Sequence, residues 1–267
     1  MAEKKSSGGV SELFKTLFWA LFLAGIIRTV LFQPFWIPSG SMKSTLLIGD
    51  FLFVNKYAYG YSWASCPTIG GFDFCGFAKD REGRLWQGEP ERGDIIVFKH
   101  PTNEVDYIKR LIGLPGDTVQ MKNGQLILNG EPVPQVADGT FVETFDRQGP
   151  LGNWPLCGNG SVAQGSDCLK ERFVETLPGN DPHTVLNIAN AATDNTRVFT
   201  VPAGHYFFMG DNRDNSTDSR VRQPRGVGFV PASYIIGRAD RVMFSSAGTS
   251  ILAFWTWRGD RFFKALN

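Results

Sequence analysis

Ser39 and Ser41 stand on either side of a glycine in P-S-G-S-M (38–42), Lys109 sits in D-Y-I-K-R-L-I-G-L-P-G-D (106–117), and Ser216 in M-G-D-N-R-D-N-S-T-D-S-R (209–220). A serine hydroxyl attacks only when a base takes its proton. The chain has three histidines, His100, His183 and His205, and none lies in a loop with an obvious nucleophile or carboxylate partner. A Ser-His-Asp arrangement is therefore unattractive. A lysine can replace the imidazole where burial disfavours its charged form and lowers its pKa from ~10.4. In a strand, alternation puts Tyr107, Lys109 and Leu111 on one face. Each stretch also has a plainer reading. P-S-G-S-M suits a turn, Lys109 suits an exposed edge strand, and 209–220 suits a solvated turn or a cation loop, although its order does not match the calcium-loop template.

These residues need a scaffold, and the chain's 267 residues suffice for one large domain or two unequal ones. With 27 basic against 26 acidic residues, net charge gives no argument for nucleic acid or an acidic substrate. Residues 1–12 are polar and rich in glycine and serine, and we expect them to be disordered on the cytoplasmic side. From Leu13 to Phe32 the chain is almost wholly apolar apart from Lys15 and Arg28, about 20 residues, enough for a helix to cross a hydrocarbon layer. We expect a transmembrane anchor over 13–33. A cleaved secretory leader is the competing reading, but no small-x-small pair follows the apolar run. Cys66 with Cys75 and Cys157 with Cys168 form two close pairs in Gly/Pro/Ser-rich stretches. Two local disulfides are the simplest reading, with zinc as the alternative, and disulfides place the bulk of the chain outside the cytoplasm.

Short β-type runs follow at 50–59, 94–100, 106–114, 118–133, 205–211 and 234–244, and no segment after the anchor has convincing helical periodicity. Asn-Gly occurs twice in K-N-G-Q-L-I-L-N-G, a strong hairpin signal. Residues 60–92 and 137–200 read as insertions carrying little chemistry. The tail, 250–267, mixes aromatic with basic residues and suits either a membrane-interfacial contact or a packed terminus.

Together P-S-G-S-M-K-S-T-L-L-I-G-D, R-G-D-I-I-V-F, D-Y-I-K-R-L-I-G-L-P-G-D and M-G-D-N-R-D-N-S-T-D-S-R, in this order behind an apolar N-terminal segment, resemble the boxes of bacterial type I signal peptidases. The resemblance implies an all-β fold: a catalytic β core (34–118 and 201–249), an inserted smaller β-rich cap (119–200), and one N-terminal transmembrane helix. It implies a serine endopeptidase of the inner membrane, single-pass, with its catalytic domain on the outer (periplasmic) side, removing signal peptides from exported preproteins without metal or cofactor. Ser41 would be the nucleophile and Lys109 the general base, with Ser216 orienting the lysine and Ser39 joining the oxyanion hole. Phe35, Ile37, Pro38 and Met42, with Leu46, Val97, Tyr107 and Ile108, would line shallow pockets for small side chains, Ala-x-Ala being the expected preference. Arg110, Asp211, Arg213, Asp218 and Arg220 would brace the loops. The other readings are a Ser-Lys peptidase dedicated to one pilus or conjugation protein, a soluble self-cleaving repressor type, and an inactive membrane-tethered β scaffold.

Overall fold

A computed structural model describes residues 9–26, 31–66, 68–69, 72–73, 75, 84–86 and 88–266. Its first element is helix α1 (Gly9–Ile26), whose start falls inside the stretch expected to be disordered. Phe32 and Gln33, expected in a span over 13–33, already belong to strand β1 (Phe32–Trp36). Among the described residues no helix is long and apolar enough to cross a membrane, which leaves the expected span unsupported; its residues 27–30 lie outside the described residues. The strand has a local cause: Phe32, Phe35 and Trp36 favour extended backbone, and Pro34 cannot donate within a helix. An edge strand tolerates the proline, and β1 is an edge.

Further strands are β2 (Asp50–Asn55), a ribbon of β3 (Thr68–Ile69) and β4 (Phe72–Asp73), β5 (Ile95–Lys99), β6 (Asp106–Gly113), β7 (Thr118–Lys122), β8 (Gln125–Leu128) and β9 (Glu131–Pro132). They continue as β10 (Gln135–Thr144), β11 (Asp167–Glu175), β12 (His183–Asn187), β13 (Phe199–Thr200), β14 (His205–Met209), β15 (Val230–Pro231) and β16 (Ile235–Ser245). The main sheet runs β1-β2-β16-β5-β6-β14-β15, with antiparallel pairing throughout. In it, Lys109 of β6 lies opposite Ile96 of β5. Both Asn-Gly pairs make the expected turns: Asn123, Gly124, Asn129 and Gly130 all have positive φ, joining β7 to β8 and β8 to β9.

Two smaller sheets, β13-β7-β8-β9 and β10-β11-β12, fill the inserted region. The second escapes sequence reading because β10 is exposed along most of its length and shows no alternation. Both cysteine pairs are disulfides. The core lies on both sides of β6: Ile112 packs with Val119, Leu126 and Phe207, while Leu111 packs with Ile96, Phe98 and Phe208. A third cluster holds Ile37, Met42 and Leu46 against Leu52, Ile95 and Val242, seating the P-S-G-S-M segment on the sheet. The tail is fastened as well. Arg261 is buried, donating through Nε to Asp50 Oδ1 at 2.9 Å and through Nη2 to the Thr45 carbonyl at 3.0 Å.

Candidate active site

Ser41 follows Gly40 in a tight turn anchored by its apolar neighbours, so the main chain reverses while Met42 and Leu46 plug the core. The loop after β14 holds the turn from the other side. Asn212, fully buried, donates its main-chain N–H to the Ser41 carbonyl at 3.1 Å and its side-chain amide to the Gly40 carbonyl at 2.9 Å. Gly210 is required by the close approach: a Cβ there would lie 2.5 Å from the Ser41 carbonyl oxygen and 2.3 Å from Ser216 Oγ.

Across this turn β6 delivers Lys109, whose Nζ donates to Ser41 Oγ at 2.6 Å and to the Ile108 carbonyl at 3.0 Å. Both residues are buried, Lys109 to 4% and Ser41 to 8% exposure. Desolvation lowers the lysine pKa to about 8, against the opposing pull of the Asp218 and Asp211 carboxylates. Ser39 Oγ lies 3.5 Å from Ser41 Oγ. Among the described residues the Ser41 N–H meets no backbone acceptor. Ser216 is brought beside Gly210, and among the described residues its Oγ is buried without a hydrogen-bond partner, so none joins it to Lys109.

The charged set forms two buried pairs beneath the site. Arg110 grips Asp211 with Nε and Nη2, each at 2.9 Å, and Thr45 Oγ1 donates to the same carboxylate at 2.5 Å. Arg220 grips Asp218 in the same two-pronged way, both bonds 2.9 Å, while Gly210 N–H donates to Asp218 at 3.0 Å. Arg213 pairs instead with Glu175 of β11 at 2.6 Å. The Arg110–Asp211 and Arg213–Glu175 pairs each tie a strand to the loop that touches Ser41, while Arg220–Asp218 braces that loop internally.

A cavity of about 400 Å³ opens at the dyad. Phe35, Ile37, Pro38, Val97, Tyr107 and Ile108 line it, as expected of a groove with bulky walls. Met42 and Leu46 do not. At 1% and 0% exposure they belong to the core, because a turn this tight sends Ser41 outward and its follower inward. Sequence reading missed Asn212 and Gly210, which lie in a stretch noted for Ser216 and its charged residues, and the wall residues Trp36, Asn215 and Thr217. Among the described residues no group of His, Cys, Asp or Glu is suited to a metal ion.

A serine hydroxyl 2.6 Å from a buried lysine amine of lowered pKa, at the edge of a β-walled groove, is an arrangement compatible with a serine hydrolase that uses lysine as its base. The family described as "Signal peptidase, peptidase S26" matches residues 10–244, and the chain belongs to that family, whose members are endopeptidases that remove signal peptides. It is 38% identical over 251 residues to the signal peptidase I of Rickettsia typhi, covering 91% of this chain and 83% of that one. To the signal peptidase I of Rickettsia massiliae it is 39% identical over 236 residues, covering 85% and 77%. A crystal structure of a signal peptidase I from Enterococcus faecalis is 28% identical and covers 56% of this chain and 96% of that one, at a TM-score of 0.30. The family assignment rests on the sequence matches.

Proposed function

We propose that the chain is a membrane-held endopeptidase that cuts signal peptides from exported preproteins through Ser41 and Lys109. The observation that carries this is the 2.6 Å contact between the Lys109 amine and the Ser41 hydroxyl. The neutral amine takes the hydroxyl proton as Oγ attacks the scissile carbonyl, and the oxyanion is met by the Ser41 N–H and the Ser39 hydroxyl. The ammonium then returns the proton to the leaving amine. A water, deprotonated by the same amine, hydrolyses the ester and restores Ser41. Bulky walls from Phe35, Ile37, Tyr107 and Ile108 leave room for small side chains at the first and third positions before the cut, an Ala-x-Ala preference. Ser216 acts at one remove, through its packing beside Gly210, which lies against the Ser41 carbonyl.

Cleavage of a panel of unrelated preproteins by the detergent-solubilised enzyme tests this. All should be cut after small-x-small. Cutting of one pilus-type substrate alone would establish a dedicated peptidase, and no cutting at all would overturn the reading.

The same reading puts the enzyme at the inner membrane with its active site on the outer side, where disulfides persist. Helix α1 supports the anchoring: Leu13, Phe14, Phe18, Trp19, Leu21 and Leu23 are all more than half exposed, an apolar surface that water does not favour. The tail adds a second contact, with Leu252 82%, Trp255 76% and Phe263 60% exposed. Deleting the tail would also remove Arg261 and strand the buried Asp50, so substitution is the cleaner test. In protein lacking residues 1–26, changing Leu252, Trp255 and Phe263 together to serine should weaken binding to phosphatidylglycerol-containing vesicles by about tenfold or more, each apolar side chain contributing on the order of 1 kcal/mol. Unchanged partition would show that the tail does not touch lipid.

A further inference from the structure

The inserted region, which sequence reading left without chemistry, reaches the nucleophile turn on both sides of Ser41. Lys43, two residues after Ser41, is 4% exposed, and its ammonium turns away from the groove. It donates to Glu143 Oε2 at 2.5 Å and to Gln148 Oε1 at 2.7 Å, residues of β10 and of the loop that leaves it. Gln148 Nε2 donates to Glu143 Oε2 at 2.7 Å, and Lys170 of β11 ion-pairs with the other oxygen. Three residues before Ser41, the Pro38 carbonyl accepts from Asn153 Nδ2 at 2.7 Å.

Gln148 and Asn153 are themselves bridged through their main chains, by bonds of 2.9 and 3.1 Å. The loop 148–153 is thus a short rigid strap with one end on Pro38 and the other on Lys43. Its middle presses on the turn too. Gly149 has φ +63°, and a Cβ there would come within 2.6 Å of Ile48 Cγ2.

A buried ammonium needs a counter-ion, and the core offers Lys43 none of its own. Burial works to raise the Glu143 carboxyl, but Lys43 and its other donors outweigh that and hold it ionised. The insertion therefore supplies what the P-S-G-S-M-K segment lacks.

We propose that Glu143, Gln148 and Asn153 are positioning residues for catalysis: through Lys43 and Pro38 they fix the turn that aims the Ser41 hydroxyl at the Lys109 amine. The inserted sheet is then part of the active-site apparatus. This rests on the assignment of Ser41 as nucleophile. The strap complements Asn212, which holds Gly40 and Ser41 from the core side. Positioning errors near 1 Å are costly for a displacement that needs the oxygen and its base in register.

The test uses the full chain in detergent, with two readouts: cleavage of a preprotein, resolved into kcat and KM, and acylation of Ser41 by p-nitrophenyl acetate, followed by mass spectrometry. Wild type and Ser41→Ala are the references. Glu143→Gln should lower kcat and the acylation rate by about tenfold, with KM changed less than about threefold. Lys43→Met/Glu143→Gln should be no slower than Glu143→Gln alone, since both act through one contact. Asn153→Ala, which removes a single hydrogen bond and leaves every charge paired, should lower kcat as well and keeps the test open if Glu143→Gln folds poorly.

A fall in melting temperature for these variants, with kcat and acylation unchanged well below it, would overturn the proposal, as would additive effects of Lys43→Met and Glu143→Gln. Wild type that is acylated at Ser41 but cuts no preprotein would defeat the substrate reading and leave the strap to the acylation data. Wild type that is not acylated would overturn the nucleophile assignment and the strap with it.

Discussion

Lys109→Arg should cleave preprotein no better than Ser41→Ala, both slower than wild type by roughly 10⁴-fold or more. Arginine keeps the positive charge but does not give up its proton in this range, so it cannot accept the one on Ser41 Oγ. In wild type the amine has a pKa of about 8, so about a tenth of it is neutral at pH 7. The rate should therefore climb about tenfold per pH unit on the acid side and level off above pH 8, where the amine is mostly neutral. Near-normal turnover by Lys109→Arg, or a rate flat from pH 6 to 9, would exclude a proton-accepting lysine.

The lowered pKa that serves catalysis is a burden on stability. The unfolded lysine titrates near 10.5 and the folded one near 8, so between these values the unfolded chain binds more protons, and stability rises with pH. At pH 7 that contribution is absent and the buried amine is a cost. Lys109→Met, dead as an enzyme, should be the more stable protein by on the order of 2 kcal/mol in urea at neutral pH. A methionine variant clearly less stable than wild type would mean that the bonds to Ser41 and Ile108 outweigh desolvation.

Much of the site was legible because its chemistry sits in short stretches of unusual composition. Lys109 stood out as a cation inside an apolar strand, and the two serines around Gly40 as hydroxyls beside a bulky run. The strands β2, β5, β6, β14 and β16 were legible from apolar runs closed by Gly, Pro or Asp, and the β7–β8–β9 hairpins from Asn-Gly. What was not legible depends on contacts distant in sequence. Lys43 and Glu143 are 100 residues apart, and neither looks unusual in its own neighbourhood. Strand β10 is mostly exposed, and two of the three buried positions of β11 are the charged Lys170 and Glu175, so no apolar period marks either strand. Met42 looks like a groove residue in sequence. Only the tightness of the turn decides that it points inward.

Asp211→Asn should be the most damaging change that touches no reacting atom. The carboxylate is fully buried and holds together three things: Arg110 beside Lys109, Thr45 four residues after Ser41, and its own loop. The amide removes the charge that Arg110 grips with two buried hydrogen bonds, a loss of about 3–5 kcal/mol. Burial works to raise the Asp211 pKa, but the Arg110 charge and hydrogen bonds outweigh it, so the folded value lies below the ordinary 3.8. The stabilisation is therefore present above that ordinary value and is lost as pH falls through the folded one. Urea midpoints measured from pH 7 down to 2 should fall for wild type and fall less steeply at the acid end for Asp211→Asn, which has no carboxyl to protonate there. Thr45→Val, which removes one donor and leaves the ion pair intact, should cost only about 1–3 kcal/mol. If Asp211→Asn were as mild as Thr45→Val, the Arg110 charge would have to be reaching solvent or another carboxylate, and the pair could not be what holds β6 and the nucleophile turn in register.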